Sequence, residues 1–192
     1  MSSGQIRSFV SIDIDDAQIL SKIDSITSSL KSLGGDLRPV ERENIHLTLK
    51  FLGNIGFARL DEIRNAMRGV NFQPFPIEIM GAGAFPSLKK LNIVWVGIGE
   101  GWTRVQQVFE QTEKLLYRVG FSHETRPFSP HITIARVKTG RKRDEIAAFL
   151  EHMRDESLGA FTVEHVRLKQ SILSASGPAY STLFEVGARS SA

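Results

Sequence analysis

Apolar and polar residues alternate along residues 6–14, Ile-Arg-Ser-Phe-Val-Ser-Ile-Asp-Ile, and the period of two predicts a first strand. The period then changes. Ile19, Leu20, Ile23, Ile26 and Leu30 recur at three- and four-residue steps, predicting a helix capped by Asp15 or Asp16 and ended near Leu33 by Gly34-Gly35. A short strand over 37–40, interrupted by Pro39, precedes a strand over 45–52 closed by Gly53-Asn54. A helix over about 57–69 buries Leu60, Ile63 and Met67. Strands follow over 75–84 and 91–98, joined by a hairpin-like turn around residues 86–90. A third helix runs from about Thr103 to Val119 and stops at Gly120. Residues 122–130 are irregular; a strand over 131–137 and a helix over about 141–153 come next. Strands over about 160–173 and 179–187, joined through Ser176-Gly177-Pro178, end the fold, and the last few residues read as frayed.

The pattern repeats. His131 lies 85 residues after His46, and Thr133 lies 85 after Thr48. The same offset carries Phe9-Val10 onto Val94-Trp95, the helix positions Leu20, Ile23 and Leu30 onto Val105, Val108 and Leu115, and Gly35 onto Gly120. Beyond that the match fades. We read a duplicated β-α-β unit, with repeat units of about 6–84 and 91–173 intertwined in one domain. Packing about a pseudo-two-fold axis would bring equivalent strands together.

Composition narrows the classes. The 192 residues are 41% hydrophobic and 23% charged, ordinary for a globular chain. No apolar run approaches the roughly 20 residues of a membrane helix. The start, Met1-Ser-Ser-Gly-Gln, lacks a basic region followed by an apolar core, so no signal peptide and a cytoplasmic location are expected. The absence of cysteine removes disulfides, thiolate nucleophiles and Cys-based zinc sites. A net charge of +3 permits a phosphate-bearing substrate without demanding one.

Chemistry centres on two stretches, Ile45-His46-Leu47-Thr48-Leu49 and Pro130-His131-Ile132-Thr133-Ile134. Strand side chains alternate faces, so each places an imidazole and a hydroxyl on one side and an apolar ridge on the other. A single histidine on a strand is usually a packed or solvated residue, and threonine is common in strands because it is β-branched. Two His-Thr pairs at matching points of a repeat are not explained that way. Histidine acts as acid or base near neutral pH. Two of them across a cleft suit displacement at phosphorus, where attacking and leaving oxygens lie in line, and hydroxyls can donate to the non-bridging oxygens. No HExxH or comparable cluster appears, so no metal or other cofactor is expected; His123 with His131 makes a poor ligand set across the intervening prolines.

Arg38, Pro39 and His46-Leu-Thr-Leu-Lys-Phe-Leu-Gly53, with Phe128-Ser-Pro-His131-Ile-Thr-Ile-Ala-Arg136, resemble the two signatures of the 2H phosphoesterases. The nearest likeness is to the bacterial and archaeal RNA 2′,3′-cyclic phosphodiesterases, also called 2′-5′ RNA ligases. It runs from about Arg7 to Phe184. The resemblance implies an α+β fold, bilobal, with two antiparallel sheets related by pseudo-two-fold symmetry around a central cleft and helices on the outside. It implies metal- and ATP-independent hydrolysis of a 2′,3′-cyclic phosphate, on RNA 3′ ends or small nucleotides, to a 2′-phosphomonoester. His46 would be the proton donor to the departing 3′-oxygen, His131 the proton acceptor that activates water, and Thr48, Thr133 and Arg136 would bind phosphate. Joining of tRNA halves through a 2′-5′ bond is the reverse reaction in the same groove; a nucleotide- or RNA-binding module with vestigial activity is the competitor from another class. A monomer with no obligate protein partner is expected.

Other residues weigh differently. Strict alternation puts Arg136 on the opposite face from His131 unless a bulge re-aims it. Lys50 is in phase with His46 and is equally explained by solvation. Phe128 is a candidate for base stacking, whereas Phe51 and Trp95 read as core. Arg38, Arg126 and Arg141-Lys142-Arg143 could meet an RNA backbone, although the last run reads better as the exposed start of a helix. Tyr180 has no place assigned by the pattern.

Overall fold

The computed structural model describes residues 4–174 and 177–189. Asp16 caps α1 (Ala17–Ser32), its carboxylate accepting from the amides of Gln18 and Ile19 at 3.0 and 2.9 Å. The helix buries Ile19, Leu20, Ile23, Ile26, Thr27 and Leu30, the stripe its periodicity predicts. Before it lies β1 (Gln5–Asp13); after it come β2 (Leu37–Pro39), β3 (His46–Gly56) and α2 (Leu60–Met67). The strand expected to stop at residue 52 continues to Gly56, Gly53 taking φ +70° on the way. Then follow β4 (Phe75–Ser87), β5 (Lys90–Ile98), α3 (Trp102–Tyr117), β6 (His131–Val137) and α4 (Arg143–His152). The single strand expected over 160–173 is two, β7 (Ser157–Val163) and β8 (His165–Ser174), broken at Glu164. The last strand is β9 (Gly177–Gly187). Ser176 of the expected final turn, and the tail from residue 190, lie outside the described residues.

These strands form a curled antiparallel sheet in the order β7-β4-β5-β6-β3-β1-β8-β9, with short β2 paired to β6. It is two four-stranded halves meeting edge to edge between β3 and β6 at one pair, Leu47 opposite Ile132, both with no exposed surface. The connections cross. β4 follows β3 in the chain but pairs with β5, and β8 follows the second half yet returns to pair with β1. The helices cross as well: α1 packs on β7, β6 and β2, whereas α3 packs on β3. One apolar core therefore runs beneath both halves, from Val10 and Ile12 through Leu47 and Ile132 to Val94 and Ile79. No helix among the described residues is long and apolar enough to cross a membrane.

The repeat carries one slip that the sequence offset conceals. α1 moved by 85 residues lands end to end on α3, and His46 lands on His131. However, Asp13 pairs with His46, and the residue paired with His131 is Gly97, only 84 positions after Asp13. One extra residue in the β5–α3 connection absorbs the difference. Trp95 is thus the counterpart of Ser11, not of Val10: they lie opposite Thr133 and Thr48 respectively.

Candidate active site

The Leu47–Ile132 pair sits where the pseudo-two-fold axis crosses the sheet. Antiparallel pairing about it sets His46 across from Thr133 and Thr48 across from His131, and alternation turns all four away from the core. Each of the four is half-buried: walled, yet open to the cleft. The structure therefore brings together both expected His-Thr pairs.

Each imidazole is anchored the same way. His46 Nδ1 lies 2.7 Å from the carbonyl of Asn44, and His131 Nδ1 lies 2.8 Å from that of Ser129, in both cases two residues upstream. A carbonyl only accepts, so Nδ1 carries the hydrogen in both neutral rings, and Nε2 is the nitrogen left to exchange a proton. Asn44 is itself held, its side chain donating to the Pro178 carbonyl at 3.1 Å.

Their surroundings differ. His46 packs against Phe9, with ring centroids 4.8 Å apart, and meets Tyr180 edge-on at 5.2 Å. Burial pushes its pKa below the usual 6.5; the Asn44 carbonyl and the Asp13 carboxylate push the other way, while Lys169 and His131 add to the depression. Asp13 is bound by Lys169 at 2.6 Å, Arg167 at 3.2 Å and the Ser11 hydroxyl at 3.0 Å. His131 instead meets Phe85 edge-on at 4.8 Å, and Phe85 lies 5.4 Å from Trp95. The two ends of the cleft are thus symmetric in their reacting groups and asymmetric in their walls.

Arg136 owes its direction to a bulge. β6 carries one residue more than β5 between Thr133 and Ala135, so Ile134 and Ala135 are both buried and Arg136 emerges exposed. Its charge is felt at Tyr180, whose pKa burial raises while Arg136 and Arg7 pull it down. β3 has the same bulge at Leu49. This overturns two expectations. Lys50 turns into the core, where it pairs with Glu113 of α3 and donates to the Ser122 carbonyl at 2.8 Å. Phe51, expected in the core, stands 66% exposed near Phe9 on the His46 face. In a sequence, a bulge looks like unbroken alternation.

Phe128 stacks face to face on Phe109 of α3, with centroids 4.0 Å apart, which fastens the irregular stretch before His131 to the helix. Trp95, read as core, is half-buried on the His131 side. His123 stacks on Tyr117 and approaches Glu113 at 3.3 Å. Lys142 and Arg143 are exposed at the start of α4 and pair with Glu145 and Asp144. Arg38 lies on β2 beside Arg136, and Arg126 is exposed in the loop before β6. Among the described residues no group of three or more His, Asp or Glu side chains could hold a metal ion. Asp13 and Lys169 were missed by sequence reasoning. The available signal was the alternation Val166, Arg167, Leu168, Lys169, which sets two cations on the face opposite a buried ridge.

Residues 12–95 and 99–180 match the LigT-like phosphoesterase family. The chain is 37% identical over 173 residues to the RNA 2′,3′-cyclic phosphodiesterase of Aeropyrum pernix, covering 90% of this chain and 98% of that protein. It is 39% identical over 181 residues to the protein of the same name from Archaeoglobus fulgidus, covering 93% and 98%. Among solved structures, apo LigT of E. coli superposes with a TM-score of 0.75 at 23% identity, covering 98% of this chain and all of that one. E. coli LigT has also been solved with 3′-AMP, with a TM-score of 0.74 at 21% identity over 97% of this chain and 100% of that one.

Proposed function

The chain belongs to the LigT-like phosphoesterases, and from that premise we propose that it hydrolyses RNA or nucleotide 2′,3′-cyclic phosphates to 2′-phosphomonoesters without a metal. The observation that carries this reading is the His46-Thr133 and Thr48-His131 quartet, with an Nε2 freed on each ring. His131 takes a proton from water as its oxygen attacks phosphorus. His46 gives a proton to O3′ as the P–O3′ bond breaks, and solvent exchange resets both rings. Thr48 and Thr133 donate to the non-bridging oxygens, and Arg136 offsets the charge that accumulates there. Phe128, with one ring face against Phe109, offers the other to a base. The relatives' shared name and the 3′-AMP complex of LigT support this choice of substrate. All of these groups come from one chain, which acts as a monomer built of the two intertwined repeats. Hydrolysis of adenosine 2′,3′-cyclic phosphate, with the product identified as the 2′-isomer by phosphorus NMR, tests the assignment; a 3′-phosphate product or no turnover would refute it.

A lowered pKa on a proton donor fixes the sign of the pH dependence. In the free enzyme His46 loses its proton below pH 6.5, so kcat/KM falls as pH rises past that point, approaching tenfold per unit. A bound phosphate monoanion favours the imidazolium and moves the corresponding limb of kcat to higher pH. Profiles of both parameters from pH 5 to 9 check this. A flat kcat/KM up to pH 8 would contradict the donor role.

Excess EDTA leaves the rate unchanged, because the proton carriers and the phosphate donors are all side chains. Loss of activity that a single divalent cation restores would reveal a metal step.

A further inference from the structure

The carbonyls that anchor His46 and His131 are held differently. Ser129, which anchors His131, is exposed, and its hydroxyl enters no hydrogen bond among the described residues. Asn44, which anchors His46, is only 7% exposed, and its side chain donates across 134 positions to the Pro178 carbonyl. Asn44 closes a single 3₁₀ turn, Arg42–Asn44, that leads into β3. Its backbone N–H donates to the Glu41 carbonyl at 2.9 Å, and that of Ile45 to the Arg42 carbonyl at 3.1 Å. Backbone and side chain are thus gripped together, and the Asn44 carbonyl is left to meet the imidazole.

The grip comes from far off in the sheet. β9 is its last strand, separated from β3 by β1 and β8. Three strand spacings on a flat sheet would put the two about 14 Å apart. The curl brings β9 back over the head of β3. There it reaches His46 twice: through Asn44 by the Pro178 carbonyl, and directly by the Tyr180 ring, edge-on at 5.2 Å. Tyr180 also meets Phe9 at 5.0 Å, so the imidazole is packed between two aromatic neighbours that touch each other. Such contacts accept an imidazole and its flipped form almost equally; the hydrogen bond at Nδ1 separates them. We propose that Asn44 is a positioning residue for His46: tied to β9 at Pro178, it holds its own carbonyl against Nδ1 and so keeps Nε2 on the cleft side, its proton aimed at the departing O3′. The role of His46 as donor rests on the phosphodiesterase reading; the tie and the ring orientation it enforces do not. An imidazole free in water prefers its hydrogen on Nε2, the opposite of what this anchor holds, so loss of the tie is visible in the tautomer.

Nitrogen-15 NMR of the imidazoles at pH 8, where His46 is neutral, reads that tautomer without turnover, and the His46→Ala spectrum assigns its signals. Wild-type His46 shows the Nδ1–H form. In Asn44→Ala a share of it moves to Nε2–H, while His131 keeps its form. The same variant lowers kcat on adenosine 2′,3′-cyclic phosphate about tenfold, the order of one hydrogen bond. It leaves the rate on a nitrophenyl phosphodiester, whose leaving group needs no proton, within twofold of wild type. Asn44→Ser, whose hydroxyl is too short to reach Pro178, moves both readouts the same way and serves if the alanine variant folds poorly. An unchanged His46 tautomer would overturn the proposal, because the carbonyl would then stay in place without the tie. Equal losses on the two substrates would overturn it as well, making Asn44 a prop for the fold. A tautomer shift in a protein whose wild type opens no cyclic phosphate would sink the proposed reaction instead and leave the tie standing.

Discussion

Alanine at His46 or His131 lowers kcat on a 2′,3′-cyclic phosphate by about 10²–10⁴-fold, the usual worth of a positioned acid or base. The fold survives either change. Both rings are half-buried, they head their strands, and the interactions lost are one hydrogen bond to a backbone carbonyl and ring contacts at the cleft wall. Circular dichroism and Tm should therefore stay near wild type while turnover collapses. The double variant loses far less than the product of the two single losses, since each group is of little use without its partner. The two variants are distinguished by a leaving group. A nitrophenyl phosphodiester departs without needing a proton, so it restores much of the rate in His46→Ala and none in His131→Ala. The opposite pattern would exchange the roles of donor and acceptor. Full activity of either single variant on a cyclic dinucleotide end would remove the two-histidine mechanism altogether.

The second large effect is on stability. Glu113→Ala destabilises the protein by about 3–5 kcal/mol, because it leaves the Lys50 ammonium buried without its partner. The side chains of Lys50 and Glu113 are only 6% and 8% exposed. Burial pushes the Glu113 pKa up, but Lys50, the Glu124 amide and His123 together hold it below the usual carboxylate range. That carboxylate also accepts from the Glu124 amide at 3.0 Å, so it fastens the stretch leading to Phe128 and His131 against α3. At about 2–4 °C per kcal/mol for a chain of this size, Tm falls by roughly 6–20 °C. Replacing both partners with apolar residues, Lys50→Met with Glu113→Leu, recovers most of the loss, since the desolvated charge is then gone. A single-variant loss under 1 kcal/mol in urea unfolding would mean that water reaches the pair.

The paired His-Thr strands were legible because two properties coincide in local sequence: a period of two that fixes faces, and an offset that fixes equivalence. The helices were legible for the same reason. Ile19, Ile23 and Leu30 follow the helical period and are buried, and Asp16 is a cap whose geometry needs only its own next three residues. Strand 131–137 matches its expected limits because Pro130 precedes it and Val137 is its last apolar residue.

The faces that strict alternation assigns to Lys50, Phe51 and Arg136 fail for one reason. The alternation rule assumes equal residue counts on both strands of a pair, and a bulge breaks that equality without leaving any mark on either strand alone. Hence Phe51 emerges, Lys50 turns inward and Arg136 reaches the cleft. In the same way the one-residue slip between Asp13 and Gly97 is invisible until His46 and His131 define the register.

From the sequence alone come the helices, the strands apart from the break between β7 and β8, the duplication, and the four residues that face one another across the axis. All of these rest on short-range periodicity or on self-comparison of the chain. Tertiary structure alone decided that β4 and β8 trade halves, that Asp13 meets Lys169 from 156 positions away beside His46, and that both tryptophans open onto one groove. Such neighbours are set by which strand edges pair and where an extra residue is absorbed. Those outcomes depend on the packing energy of the whole sheet, and no single stretch of the chain carries them.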